Sequence, residues 1–106
     1  MKAIFLNFEG KKYPYIETMG AMLSFKHETG IEASAITAED TENNLKYIYH
    51  VVKAYCRRNK EEFNYSFEEF ADRMEFASYI QLISDINEAV METLNANDSA
   101  EDSKND

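Results

Sequence analysis

Hydrophobic and polar positions alternate along the first segment of the chain. Ile4, Leu6 and Phe8 share one side, and Ala3, Phe5 and Asn7 the other, which is the period of a β-strand. Glu9-Gly10 then reads as a two-residue turn, because Gly supplies the positive φ that such turns require. That turn pairs Phe8 with Lys11, Leu6 with Tyr13 and Ile4 with Tyr15. Ile4, Leu6, Phe8, Tyr13 and Tyr15 then lie on one face, so pattern and register agree. Pro14 falls opposite Phe5 at a non-hydrogen-bonded site, which suits a free edge. The hairpin is expected over 2–16. A two-stranded ribbon is marginal in water, so it must lay its apolar face on helices.

After Tyr15 the period changes to that of helices. Thr18 is a candidate cap for a helix over about 19–29, with Met19, Met22, Leu23 and Phe25 on its broad apolar side and Gly30 as its stop. Residues 31–36 form a connection tacked to the core by Ile31 and Ile36. Thr37-Ala38-Glu39-Asp40 resembles a capping box, with Asp in place of Glu or Gln, and predicts a helix over about 38–59. Leu45, Ile48, Val52, Tyr55 and Cys56 make its stripe, widened by Tyr49 and Val51. Acids at its start and Lys53, Arg57, Arg58 and Lys60 at its end complement the macrodipole.

Residues 59–65 read as a polar turn. Ser66-Phe67-Glu68-Glu69 is a full capping box and starts a helix over about 67–74. A final helix is expected over about 76–94, with Tyr79, Leu82, Ile83, Ile86, Val90 and Leu94 in its stripe. The pattern leaves open whether 75–77 interrupts these two helices. Residues 95–106 contain no large apolar side chain and read as a disordered acidic tail. The expected fold is α+β, mainly α: one domain over 1–94 with an N-terminal hairpin against three to four amphipathic helices.

Composition changes this picture in two ways. The chain has 106 residues and a net charge of −9, of which −3 lies in residues 95–106. An acidic body repels phosphate backbones and anionic lipid, so neither nucleic acid nor membrane is an expected partner. An acidic decoy that fills a basic groove stays open. Cys56 is the sole cysteine, which excludes an intramolecular disulfide and a cysteine-based metal site, and its place in the stripe makes it a small core residue. No leader-like or membrane-spanning run is present in the sequence, so a cytoplasmic location is expected.

Candidate chemistry is sparse. His27 and His50 fall on different helices, neither with a carboxylate at helical metal-ligand spacing, and His50 and Cys56 point in different directions around one helix. No nucleophile elbow, P-loop or dinucleotide fingerprint occurs. The expectation is a non-enzyme with no cofactor and no metal. The seven tyrosines are amphipathic rings of the kind favoured at interfaces. Tyr47 and Tyr49, with the Lys53, Arg57 and Arg58 cluster, are the candidate protein-interaction residues.

The order of parts carries a resemblance. KAIFLNFEGKKYPY, MGAMLSFKHETGI, ITAEDTENNLKYIYHVVKAYCRRN and YSFEEFADRM precede a closing amphipathic helix. This resembles the tail assembly chaperones of long-tailed bacteriophages and prophages. Those open with an I-x-L-x-x-x-G-K-x-Y ribbon, here Ile4 to Tyr13, and continue through a helix ending in x-E-x-G, here Phe25 to Ile31. A Leu/Tyr-rich helix (Leu45 to Tyr55), a [ST]-x-E-E-[FLV] helix start (Ser66 to Ala71) and a final helix (Tyr79 to Val90) follow. The resemblance covers about residues 1–94. It implies a non-enzymatic chaperone of the host bacterial cytoplasm that binds the helical tape-measure protein, keeps it soluble and aids assembly of the tail-tube protein. It supplies no catalytic residues. The alternative from residue chemistry is an acidic regulator or inhibitor occupying the basic groove of a nucleic-acid-binding protein. Homo-oligomerisation stays open.

Overall fold

The computed structural model describes the backbone of residues 3–105 and the side chains of residues 3–94. It is an α+β, mainly α fold: a two-stranded antiparallel hairpin, β1 (Phe5–Phe8) and β2 (Lys11–Pro14), followed by helices α1 (Met19–Thr29), α2 (Thr41–Arg58), α3 (Phe67–Arg73) and α4 (Phe76–Asn105). A single 3-10 turn, Ala33–Ala35, lies between α1 and α2.

The hairpin register is the one the alternation requires, with Leu6 opposite Tyr13 and Phe8 opposite Lys11. The Tyr15 N–H donates to the Ile4 carbonyl at 2.8 Å, extending the pairing beyond the strands. Glu9 and Gly10 both have positive φ, 51° and 74°. This is the mirror-image turn whose twist matches that of the strands it joins. Leu6, Phe8 and Tyr13 are buried.

α1 starts at Thr18, whose Oγ1 accepts from the Ala21 N–H at 3.2 Å, and stops at Gly30 in the left-handed region. Its buried side is part of the expected one: Phe25 is buried and Met22 packs beside it. Ala21 and Phe25 face inward, whereas Met19 and Leu23 are 68% and 49% exposed. The helix is held by a narrow i, i+4 ridge, and its larger aliphatic residues fall on the far side.

α2 is the central element, and apolar residues bury two of its sides. Ile48, Tyr49, Val52 and Cys56 enter one core with Leu6, Phe8, Tyr13, Phe70 and Leu82. Tyr47, Val51 and Ala54 enter a second core with Ala21 and Phe25, against which Ile31 and Ile36 also pack. The helix begins three residues later than the sequence predicted. Asp40, not Thr37, is its cap, accepting from the Asn43 N–H at 3.1 Å. Thr37 instead opens a turn, its carbonyl accepting from the Asp40 N–H and from Asn44 Nδ2. At the other end the Glu61 N–H donates to the Cys56 carbonyl and the Lys60 N–H to that of Arg57. Lys60 has φ 55°. These bonds make a Schellman cap with lysine at the position usually given to glycine.

The segment after α2 is not simply polar. Phe63 and Tyr65 alternate with polar residues and pack against the first core, where Phe63 lies 5.7 Å from Tyr13 and Tyr65 lies 5.1 Å from Phe8, centroid to centroid. The reciprocal bonds of Ser66 and Glu69, both 3.1 Å, start α3. Its centre, Phe70, is fully buried. Extended Met74 separates α3 from α4, so residues 74–75 do break the two helices.

The backbone of α4 continues helical to Asn105, past the expected end near Leu94. Residues 95–105 contain no Gly or Pro that would stop it. Residues 95–105, expected to be a disordered acidic tail, thus have a helical backbone, while their side chains and residues 1, 2 and 106 fall outside the described residues.

Candidate protein-binding surface

The predicted interaction residues divide in two. Tyr47 and Tyr49 are buried, 8% and 5% exposed, on opposite flanks of α2. Tyr47 donates its hydroxyl proton to Glu17 Oε2 at 2.7 Å, and Tyr49 donates to the Tyr65 carbonyl at 2.5 Å. Both are therefore engaged in the fold, with little of either ring exposed. The correction has a simple cause: α2 is covered on two sides, so residues at the margins of its stripe are taken into a core. Desolvation, followed by the bond to Glu17 and its charge, pushes the Tyr47 phenol above its ordinary range. Lys53, Arg57 and Arg58 are exposed. The Lys53 ammonium lies 5.4 Å from the Tyr49 ring centroid, so its stem shields that ring rather than leaving the ring free for a partner.

The groups most apt for reaction chemistry are engaged in structure. Burial raises the Cys56 thiol, with the Glu61 charge adding to it and Lys11 opposing. That is opposite to the shift a reactive thiolate requires. Among the described residues, no group of three or more His, Cys, Asp and Glu side chains could hold a metal ion. No helix among them is long and apolar enough to cross a membrane.

His50 does have a carboxylate partner, one that no local spacing could reveal. Its Nε2 lies 2.6 Å from Glu28 Oε1 on α1, and Lys46 Nζ lies 3.6 Å from the other Glu28 oxygen. Partial burial raises the Glu28 carboxyl, but the bond to His50 and the charges of His50 and Lys46 outweigh it, leaving the group lowered. A lowered carboxyl adds stability that is fully present above its ordinary value of 4.5 and is lost as pH falls through the folded value. In urea titrations, Glu28→Gln should therefore be less stable than the parent at pH 7, by under about 1 kcal/mol because the Glu28 side chain is 39% exposed. The gap between the two proteins should close toward pH 3. A gap that widens on acidification would contradict this account.

An open apolar groove lies elsewhere. The hairpin packs on the first half of α4 and ends there. Four strand residues span about 13 Å, whereas residues 76–94 of α4 span about 28 Å. Among the described residues, the apolar stripe of α4 consequently outruns its cover. Ile4, Tyr15, Ile86, Ala89, Val90 and Leu94 line an open groove of about 320 Å³. Val90 and Leu94 are 53% and 52% exposed. Tyr15, Glu17 and Ile86 also border an adjoining hollow of about 240 Å³, walled by Ile36, Tyr47, Tyr79 and Ile83. Desolvation raises the Tyr15 phenol, with the Glu17 charge adding to it. The tyrosine therefore stays neutral and presents mainly its ring. Sequence reasoning placed Val90 and Leu94 in the stripe of the last helix but did not single them out as exposed. The signal was the helix being longer than the hairpin meant to cover it.

No family model, curated protein or solved structure matches the chain.

Proposed function

We propose that this chain is a non-enzymatic tail assembly chaperone of a long-tailed phage or prophage. In this reading it acts in the host bacterial cytoplasm, binds the tape-measure protein and aids assembly of the tail tube. The order of motifs described above supports the reading. One geometric observation carries it: the apolar stripe of α4 is left open through Val90 and Leu94, beside Ile4 and Tyr15, on an otherwise acidic molecule. Soluble monomers seldom leave a contiguous apolar strip uncovered unless it binds something. A tape-measure protein is a long helix whose own apolar stripes have no partner before assembly. A small acidic domain that covers such a stripe keeps the complex soluble through its charge.

The test is co-expression of the full chain with overlapping segments of a tape-measure protein from the same phage or prophage. At least one otherwise insoluble segment should become soluble and co-purify in a stoichiometric complex. Failure of every segment to co-purify would refute the reading. The alternative, an acidic inhibitor of a nucleic-acid-binding protein, requires binding that collapses steeply with salt and needs no apolar surface.

A further inference from the structure

We infer that the groove beside α4 binds one amphipathic helix whose apolar stripe is bordered by lysine or arginine. The inference rests on the chaperone reading for the partner's biological source, but not for its chemistry. That chemistry comes from the shape and charge of the groove.

The walls have the form a helix requires. From Ile86 to Leu94 the edge of α4 along the groove runs about 12 Å, a little over two helical turns, and its last two apolar positions, Val90 and Leu94, are exposed. Ile86, Val90 and Leu94 recur along it four residues apart, with Ile83 one turn earlier in the adjoining hollow, so they offer a ridge to the groove of a second helix. Ile4 and Tyr15, at the open end of the hairpin, form the facing wall. A helix laid between them buries an i, i+3, i+4, i+7 stripe, the usual mode of helix-in-groove recognition.

Charge selects among helices. Glu17 is the charged side chain lining the groove, and Asp85, Glu88 and Glu92 follow the far flank of α4 around Ala89. Among the described residues, no lysine or arginine lines either the groove or the adjoining hollow. The cations of α2, namely Lys46, Lys53, Arg57 and Arg58, are not among the lining residues. A partner helix therefore meets negative potential along its borders. Basic flanks are attracted and acidic flanks repelled. The same argument disfavours a second copy of this chain as occupant. Pairing α4 with another α4 sets Asp85, Glu88 and Glu92 close to their own kind, on chains that each carry −9.

The experiment measures binding of the full chain to three synthetic helical peptides by fluorescence anisotropy. One has a leucine stripe with Lys/Arg borders, one has the same stripe with Glu borders, and one has the Lys/Arg content with the stripe scrambled. The first should bind, and the other two should bind roughly tenfold more weakly or worse. Val90→Asp and Leu94→Asp lie at half-exposed positions, so the domain should keep its circular dichroism and melting temperature. Each should weaken the first peptide roughly tenfold, the worth of one buried aliphatic side chain. Glu88→Lys with Glu92→Lys should shift preference toward the Glu-bordered peptide while leaving the apolar ridge intact.

Equal binding of the scrambled basic peptide would overturn the inference, because charge alone would then suffice. So would full affinity in Val90→Asp, or a dimer in sedimentation that Val90→Asp dissociates. The two proposals fail separately. Tape-measure segments that bind the parent and Val90→Asp equally well would sink the groove and leave the chaperone reading. Basic amphipathic peptides that bind while every tape-measure segment fails would do the reverse.

Discussion

Replacing Phe70 with alanine should remove roughly 3–5 kcal/mol of folding free energy, the usual loss for a fully buried ring. Phe70 is 0% exposed. Its ring centroid lies 4.7 Å from Phe8, 5.3 Å from Tyr49 and 6.0 Å from Phe63. It therefore joins the hairpin, the central helix and the segment after that helix. The apolar faces of all three meet on this ring. A small domain has about 5–15 kcal/mol of stability in total, so the variant should sit near the edge of folding. The midpoint in urea, followed by circular dichroism, should fall far below that of the parent. The melting temperature should fall by roughly 15–25 °C. Phe70→Leu keeps most of the volume and should fall between the two. A loss under about 1 kcal/mol for the alanine variant would mean that the aromatic cluster is not the centre of this fold.

Phe25→Ala should have an effect of similar size but a different reach. α1 is fixed by two fully buried side chains, Ala21 and Phe25, and only the second is large. The Phe25 ring meets Tyr47 edge-on at 5.6 Å and lies 6.2 Å from the His50 ring. Removing it takes from the second core the one large side chain that α1 buries fully there, and loosens the approach of Glu28 to His50. The first core, on the other side of α2, does not touch Phe25. The expected result is local opening of α1 ahead of global unfolding. In hydrogen exchange, amides of residues 22–29 should lose most of their protection, while those of the hairpin and the middle of α2 stay slow. Uniform loss of protection across the chain would show that the two cores melt as one unit.

The contrast between these two sites shows how much of the fold was legible in advance. The hairpin register followed from alternation and the Glu9-Gly10 turn, because a slip of one residue would turn Leu6, Phe8 and Tyr13 to solvent. The ends of α1 and the start of α3 followed from Thr18, Gly30 and Ser66, because caps act within a single turn of chain. Phe63 and Tyr65 were not legible. Their alternation is brief, polar neighbours surround them, and what buries them is a hairpin some fifty residues earlier in the chain. Only half of the side expected for α1, Phe25 and in part Met22, turns inward, for a related reason. Met19 and Leu23 look inward by hydropathy, but the close contact with α2 is made by Ala21 and Phe25.

The candidate site divides along the same line. Local sequence identified the stripe of the last helix, the basic end of α2 and the unusual number of tyrosines. It did not tell that Tyr47 and Tyr49 are enclosed, since enclosure depends on how many neighbours a helix has. Nor did it single out the groove, which arises from a difference in length between a hairpin and a helix that meet only after folding.

Sequence by itself determined the kinds of element, most of their ends, the hairpin pairing and the acidic charge, all set by interactions within a few residues or by plain sums. Tertiary structure decided which side of each helix is buried, which partner His50 meets, and where apolar surface is left over. Those depend on contacts between segments far apart in the chain, and no local pattern encodes which segments will meet.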